Sequence, residues 1–233
     1  MSAERDKAIL EILLVQKEVT VKQLAARLFI SEPSIRRDLA RLEKQNLIKR
    51  IHGGAKIEEN AITKNKIPFT IRELEQSSAK IQIAKKSIDY INDDDVIFLD
   101  ASSSAYNIIP FLPLKKNITV VTNGVKALEK LAEYDIPTIS TGGSLIASCM
   151  ALVGEEAYDT IKSINANVAF FSCRGLSEDG YLTDIAAAEN HVRKYMIKNA
   201  EKAYLLCASE KIGKKYFHNL CHRDEIDGVI QDV

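Results

Sequence analysis

The chain has 233 residues, of which 46% are hydrophobic and 27% charged, with only 10 Gly and 5 Pro. This composition excludes intrinsic disorder, collagen-like repeats and low-complexity chains, and the length suits one large domain or two unequal ones. Lys and Arg total 32 against 32 Asp and Glu, but the segment up to Ile57 holds 12 basic and 7 acidic residues, so a basic head precedes an acidic body and points to an anionic partner for the head.

No apolar run approaches the roughly 18 residues that a membrane span needs. The start, Met1-Ser2-Ala3-Glu4-Arg5-Asp6-Lys7, is charged and does not read as a signal peptide, so a cytoplasmic protein with no membrane partner is expected. Cys149, Cys173, Cys207 and Cys221 form no C-x-x-C pair and are expected to be buried and reduced. His218, Cys221 and His222 are crowded but lack a fourth ligand at zinc spacing, so neither a metal nor a cofactor is expected.

In chain order, Ile9, Ile12, Leu13 and Gln16 share one face of a first helix. Thr20 can cap a second helix through Leu28, and Phe29-Ile30 make a tight turn. Ser31 is placed to cap a third helix with Pro33 in its first turn, running to about Gln45. Leu47–Ile51 and Ala55–Ile57 read as strands joined at His52-Gly53-Gly54. Residues 58–76 read as a linker, polar up to Pro68. The remainder alternates. Helices are expected over Ser78–Ile91, Ser103–Leu112, Val125–Glu133, Glu155–Ser163 and Ile185–Asn199. Strands are expected over Val96–Leu99, Thr119–Val121, Pro137–Ser140, Val168–Phe171 and Ala203–Cys207. Apolar strands alternating with helices predict a parallel sheet covered on both faces.

The third helix carries the sharpest signal. Ile35, Leu39 and Leu42 form a narrow apolar stripe, while Ser34, Arg37, Ala40, Arg41 and Lys44 occupy the opposite side with Arg36 at its edge. Arginine can donate a bidentate pair to guanine in a major groove, and Ser31 and Ser34 at the helix start suit phosphate. Lys49, Arg50, His52 and Lys56 surround the slim Gly-Gly hairpin, as a basic wing would require. A solvated basic face on a three-helix unit is the plainer alternative; the hairpin favours DNA.

Ser31 to Ala55, SEPSIRRDLARLEKQNLIKRIHGGA, closely resembles the helix-turn-helix signature of the DeoR family of bacterial transcriptional regulators. That signature runs Ser, two or three residues, a Thr or Ser, then Ile-Arg-Arg-Asp-Leu, Leu-Glu and finally Arg-x-His-Gly-Gly-Ala. The resemblance implies a winged helix whose Ser34, Arg36 and Arg37 approach the major groove, with Arg50 and His52 on the wing. Asp38 is expected to orient a neighbouring arginine or to sit in the packing.

In the body, polar loops follow the strands: Asp100 with Ala101-Ser102-Ser103-Ser104, then Thr122-Asn123-Gly124, Thr141-Gly142-Gly143 and the loop holding Gly175. The carboxyl edge of an open parallel sheet is where ligands bind, and three hydroxyls at a helix start suit a small anion. Here too the chain resembles the DeoR family, whose effector domain resembles the ribose-5-phosphate isomerase and CoA-transferase folds and binds phosphorylated sugars. Its motifs fall on Asp100, Ser103 and Ser104, on Thr122 and Asn123, on Gly142 and Gly143, on Gly175 with Glu189, and on Ser209 with Lys211. Ser102 stands where the family has Gly, Glu210 separates Ser209 from Lys211, and Cys207 lies near the usual Asp.

The expected protein is therefore α/β, with a winged helix-turn-helix at 1–57, a linker at 58–76 and an effector-binding, oligomerising domain at 77–233. It is expected to repress a sugar operon as a homodimer or homotetramer under control of a phosphorylated sugar, without enzymatic activity. The alternative, an isomerase-like enzyme fused to a nucleic-acid-binding unit, would need Glu189, Asp179, Asp184 or Lys211 as acid, base or electrophile.

Overall fold

The computed structural model describes residues 2–57, 68–75 and 77–233. The chain divides into two compact units, Met1–Glu75 and Gln76–Val233. The linker reading over 58–67 and 76 lies outside the described residues.

The head contains α1 (Ser2–Gln16), β1 (Glu18–Thr20), α2 (Val21–Leu28), α3 (Glu32–Lys44), β2 (Ile48–Ile51), β3 (Gly54–Ile57) and α4 (Phe69–Leu74). A capping box starts α2: the Gln23 N–H donates to Thr20 Oγ1 at 3.2 Å, and the Thr20 N–H donates to Gln23 Oε1 at 2.9 Å. Phe29, in the left-handed region at φ 54°, ends that helix and turns the chain into α3. Ile9, Leu10 and Leu13 of α1 meet Leu24 of α2 and Ile35, Leu39 and Leu42 of α3 in one buried core. The three strands form an antiparallel sheet in the order β1-β3-β2. A Cβ on Gly54 would lie 2.4 Å from the Val19 carbonyl oxygen, so the wing closes on β1 only with glycine there. The linker reading fails over 68–75: α4 buries Ile71 and Leu74 in the head's core. Its six residues are too few for periodicity to mark them.

The body contains α5 (Ser77–Ser87), β4 (Val96–Leu99), α6 (Ser103–Tyr106), β5 (Thr119–Thr122), α7 (Val125–Glu133), β6 (Thr138–Ser140), β7 (Ser144–Ile146), β8 (Ala151–Val153), α8 (Glu155–Lys162), β9 (Ala166–Phe171), β10 (Gly175–Leu176), β11 (Tyr181–Asp184), α9 (Ala187–Lys198), β12 (Ala200–Leu206), β13 (His218–His222) and β14 (Gly228–Ile230). The expected parallel sheet is present, six strands in the order β14-β12-β9-β4-β5-β6. Alternate residues serve its two faces. Ile97, Leu99, Val120, Val168 and Phe170 enter one apolar layer, while Phe98, Val121, Ala169 and Phe171 enter the other with Val192 and Met196 of α9.

Several elements depart from the sequence reading. The expected helix over Ser103–Leu112 is α only to Tyr106, and a 3₁₀ segment, Ile109–Leu114, follows because Pro110 and Pro113 cannot continue α-helical bonding. Gly175 is not in a free loop: β10, β11 and β13 form a small antiparallel sheet, and β7 pairs with β8 as a hairpin.

Candidate functional site

In the head, the stripe of Ile35, Leu39 and Leu42 is at most 1% exposed, which fixes the opposite face of α3 outward. Arg36 and Arg37 are exposed there. Arg37 Nη2 donates to Ser34 Oγ at 3.2 Å, and Ser31 Oγ donates to Ser34 Oγ at 3.1 Å. Ser31 holds the N-cap position, yet its hydroxyl makes this bond rather than capping a backbone N–H. Arg36 pairs with Glu32 at 3.3 Å on the exposed surface, a contact of small energetic weight. Among the described residues, the Arg37 guanidinium has no carboxylate within ion-pair distance.

Arg41 is the exception. It donates to Asp6 at 2.6 Å and to Asp38 at 2.8 Å, and Arg5 pairs with the same Asp38 carboxylate. The network ties α1 to α3 and holds the Arg41 charge against its own helix bundle. Arg41 is thus held by the head's own carboxylates while its side chain stays 37% exposed, because Asp6 on α1, invisible to a helical wheel, reaches it. Asp38 is 1% exposed. Burial alone would raise its pKa, but hydrogen bonds from Arg5 and Arg41 hold it below the ordinary carboxylate range. On the wing, His52 is exposed at the turn, Lys49 and Arg50 are exposed on β2 and Lys56 is half-buried on β3, while Lys44 is exposed at the end of α3. The Arg50 backbone N–H donates to Glu43 Oε1 at 2.9 Å, and its guanidinium lies 3.9 Å from the same carboxylate.

In the body, the candidate residues gather at the carboxyl ends of the parallel strands. Asp100 follows β4 and is 2% exposed. Its Oδ1 accepts the Ser102 N–H at 3.1 Å, and its Oδ2 accepts Arg193 Nε at 2.8 Å and the Ser172 N–H at 3.4 Å. Ser102 Oγ caps α6 by accepting the Ala105 N–H at 3.1 Å, and Ser103 and Ser104 are buried beside it. After β5, Thr122 Oγ1 accepts the Gly124 N–H at 3.0 Å, and Asn123 Nδ2 donates to the Leu152 carbonyl at 3.0 Å. After β6, Gly142 and Gly143 take φ of 66° and 104°, and a Cβ on Gly143 would lie 2.5 Å from the Val153 carbonyl oxygen. After β12, Lys211 Nζ donates to Ser172 Oγ at 2.8 Å. Gly175 sits apart, in β10, where a Cβ would meet the Lys214 carbonyl oxygen at 2.3 Å; its glycine is required by packing.

The centre of this arrangement is Arg193, which sequence reasoning passed over. It is 3% exposed and reaches Asp100, Asp184 at 2.8 Å, Asn190 Oδ1 at 3.1 Å and Glu189 at 3.5 Å. Burial by itself would lower its pKa, but the carboxylates of Asp184, Asp100 and Glu189 more than offset that and keep it charged. The available signal was the spacing of Glu189, Asn190 and Arg193 on one helical turn. Cys173 is buried close by, and burial pushes its thiol up to about 12, so it is protonated and unreactive at neutral pH. A surface groove of about 680 Å³ walled by Lys86, Tyr90, Arg223 and Gln231 includes none of the candidate residues.

Residues 5–61 match the family model of the DeoR-like helix-turn-helix domain, and residues 75–233 match that of the DeoR C terminal sensor domain. The chain belongs to the DeoR family. The head is thus the helix-turn-helix domain of a DeoR-family transcriptional regulator and the body its sensor domain. Among similar proteins, the L-fucose operon activator of Escherichia coli K12 is 32% identical over 233 residues, covering 100% of this chain and 96% of its own. The glycerol-3-phosphate regulon repressor of the same organism is 26% identical over 231 residues, covering 99% and 90%. The translation initiation factor eIF-2B of Pyrococcus horikoshii OT3 is similar in fold at TM-score 0.52 and 14% identity, over 100% of this DeoR-family chain and 90% of that one. A D-ribose-5-phosphate isomerase structure in complex with phospho-erythronic acid matches at TM-score 0.45 and 20% identity, over 58% and 54%.

Proposed function

We propose that this regulator binds operator DNA by laying α3 in the major groove and the β2–β3 wing against the backbone. The observation that carries the reading is the outward Arg37 guanidinium, which meets no carboxylate among the described residues and is positioned by Ser34 on the face opposite a fully buried stripe. Arg36 and Arg37 read base edges, Ser31 and Ser34 take phosphates, and Lys44, Arg50, His52 and Lys56 add sequence-independent attraction. A single head buries little surface, so two or four copies present paired heads to half-sites a whole number of helical turns apart.

The sensor domain binds a phosphorylated sugar at the carboxyl edge of its parallel sheet. Support comes from Lys211, a cation hydrogen-bonded to neutral Ser172, and from the sugar and glycerol-3-phosphate systems named for the relatives. Effector binding regulates by favouring one arrangement of the heads over another. Repression is the proposed polarity; the relatives' names include one activator and one repressor. The protein acts in the cytoplasm, where its DNA lies, and turns over no substrate. A duplex selected from a random library and titrated in a mobility-shift assay tests the reading. Salt-dependent binding that responds to a sugar phosphate supports it, and a coupled assay showing isomerisation of that sugar phosphate would replace it with the enzyme reading.

A further inference from the structure

Two buried amide side chains of the sensor domain each leave one polar atom unspent. Asn190 is 2% exposed, and its Oδ1 is committed to Arg193 Nη1 at 3.1 Å. Because guanidinium only donates, the amide cannot turn over, and Nδ2 is forced to the other side, where it has no partner among the described residues. Asn123, also 2% exposed, is fixed in the opposite sense: Nδ2 donates to the Leu152 carbonyl, and Oδ1 has no partner among the described residues. A buried polar atom without a partner is costly, so each of the two is explained by a ligand group that would satisfy it.

The unspent pair is one donor and one acceptor. A phosphomonoester dianion, which only accepts, cannot satisfy Asn123 Oδ1, whereas a hydroxyl group donates and accepts. Glu189, in the first turn of α9, adds a further acceptor: its carboxylate stands 3.5 Å from a guanidinium already engaged by Asp100 and Asp184. We propose that Asn190 and Asn123 are the specificity-determining residues of the sensor, reading hydroxyl groups along the carbon chain of the effector, while Lys211 holds its phosphate. This rests on the sugar-phosphate reading above and adds the division of labour within it.

The test is calorimetric titration of the full-length protein with inorganic phosphate, glycerol 3-phosphate, ribose 5-phosphate and 2-deoxyribose 5-phosphate. N190A and N190D both delete the donor, but N190D retains the acceptor that Arg193 uses, so a loss common to both is not a loss of that support. Unfolding midpoints confirm that each variant is folded. The expected result is that the wild type prefers at least one sugar phosphate over inorganic phosphate. Both variants, and N123A, then lose about tenfold or more of that affinity ratio. A ratio unchanged in folded variants overturns this proposal alone. A wild type that binds no sugar phosphate, or none better than inorganic phosphate, overturns the sugar-phosphate reading and this proposal with it.

Discussion

Arg193 on α9 donates through Nε to Asp100 at the end of β4, 2.8 Å away and 93 positions earlier in the chain, with both side chains at most 4% exposed. This one bond joins the helix behind the sheet to the loop at its carboxyl edge. It also spends the Asp100 carboxylate on the protein itself, so Asp100 organises the sensor loops and is not free to meet an anionic ligand.

Asp100→Ala is accordingly expected to act on stability. It leaves a buried guanidinium short of a partner and frees the Ser102 and Ser172 N–H groups, a loss of about 3–5 kcal/mol for breaking a buried pair. Thermal unfolding followed by near-ultraviolet dichroism should show a sensor midpoint many degrees below that of the wild type. An unchanged midpoint with lost effector response would instead make Asp100 a ligand contact.

The Asp38 network makes the head sensitive to acid. Its folded pKa lies below the unfolded value of about 3.9, so its contribution is full above that value and is lost as pH falls through the folded one. Arg5 and Arg41 are 32% and 37% exposed, so solvent screening limits the contribution to about 1 kcal/mol. Urea unfolding should show Asp38→Asn less stable by that amount at pH 7, with the gap narrowing towards pH 3. A gap that stays constant with pH would mean that the charge on Asp38 is not what stabilises the head.

Lys56→Ala should weaken binding to all duplexes alike and lower the slope of log affinity against log salt by about 0.9, the release of one counterion. Anisotropy titrations at several salt concentrations measure it, and a sequence-selective effect would place Lys56 on a base.

Gly175→Ala should destabilise the sensor by about 1–3 kcal/mol, because its Cβ would meet backbone rather than a flexible side chain. Differential scanning calorimetry reads the shift; an unshifted midpoint with impaired effector binding would restore Gly175 to the ligand site.

The parts of this structure written locally were legible in the sequence. The stripe of Ile35, Leu39 and Leu42 set the face of α3, and the apolar stretches 96–99, 120–121, 168–171 and 203–206 within β4, β5, β9 and β12 announced a sheet buried on both sides. What remained hidden depends on distant partners. Arg41 looks free on a helical wheel because Asp6 lies 35 positions away on another helix. Arg193 reads as an ordinary helical surface residue until β4 and β11 deliver Asp100 and Asp184 to it. The sheet of β10, β11 and β13 was missed because its strands are short and β13 pairs with β11 across some forty residues, without an apolar run to mark either. Asn190 is marked in the sequence only by its place on the same helical turn as Glu189 and Arg193, and its bond to Arg193 shows only in the fold.

The central claim is that the outward face of α3 reads DNA while Arg41 only supports it. Its most direct test is fluorescence anisotropy of the full-length protein on a duplex selected from a random library, comparing Arg37→Ala with the wild type. Loss of about 1–3 kcal/mol of affinity, roughly 5- to 150-fold, together with relaxed discrimination at one base position, is the predicted result. Wild-type affinity and wild-type sequence preference in a folded Arg37→Ala protein would contradict it.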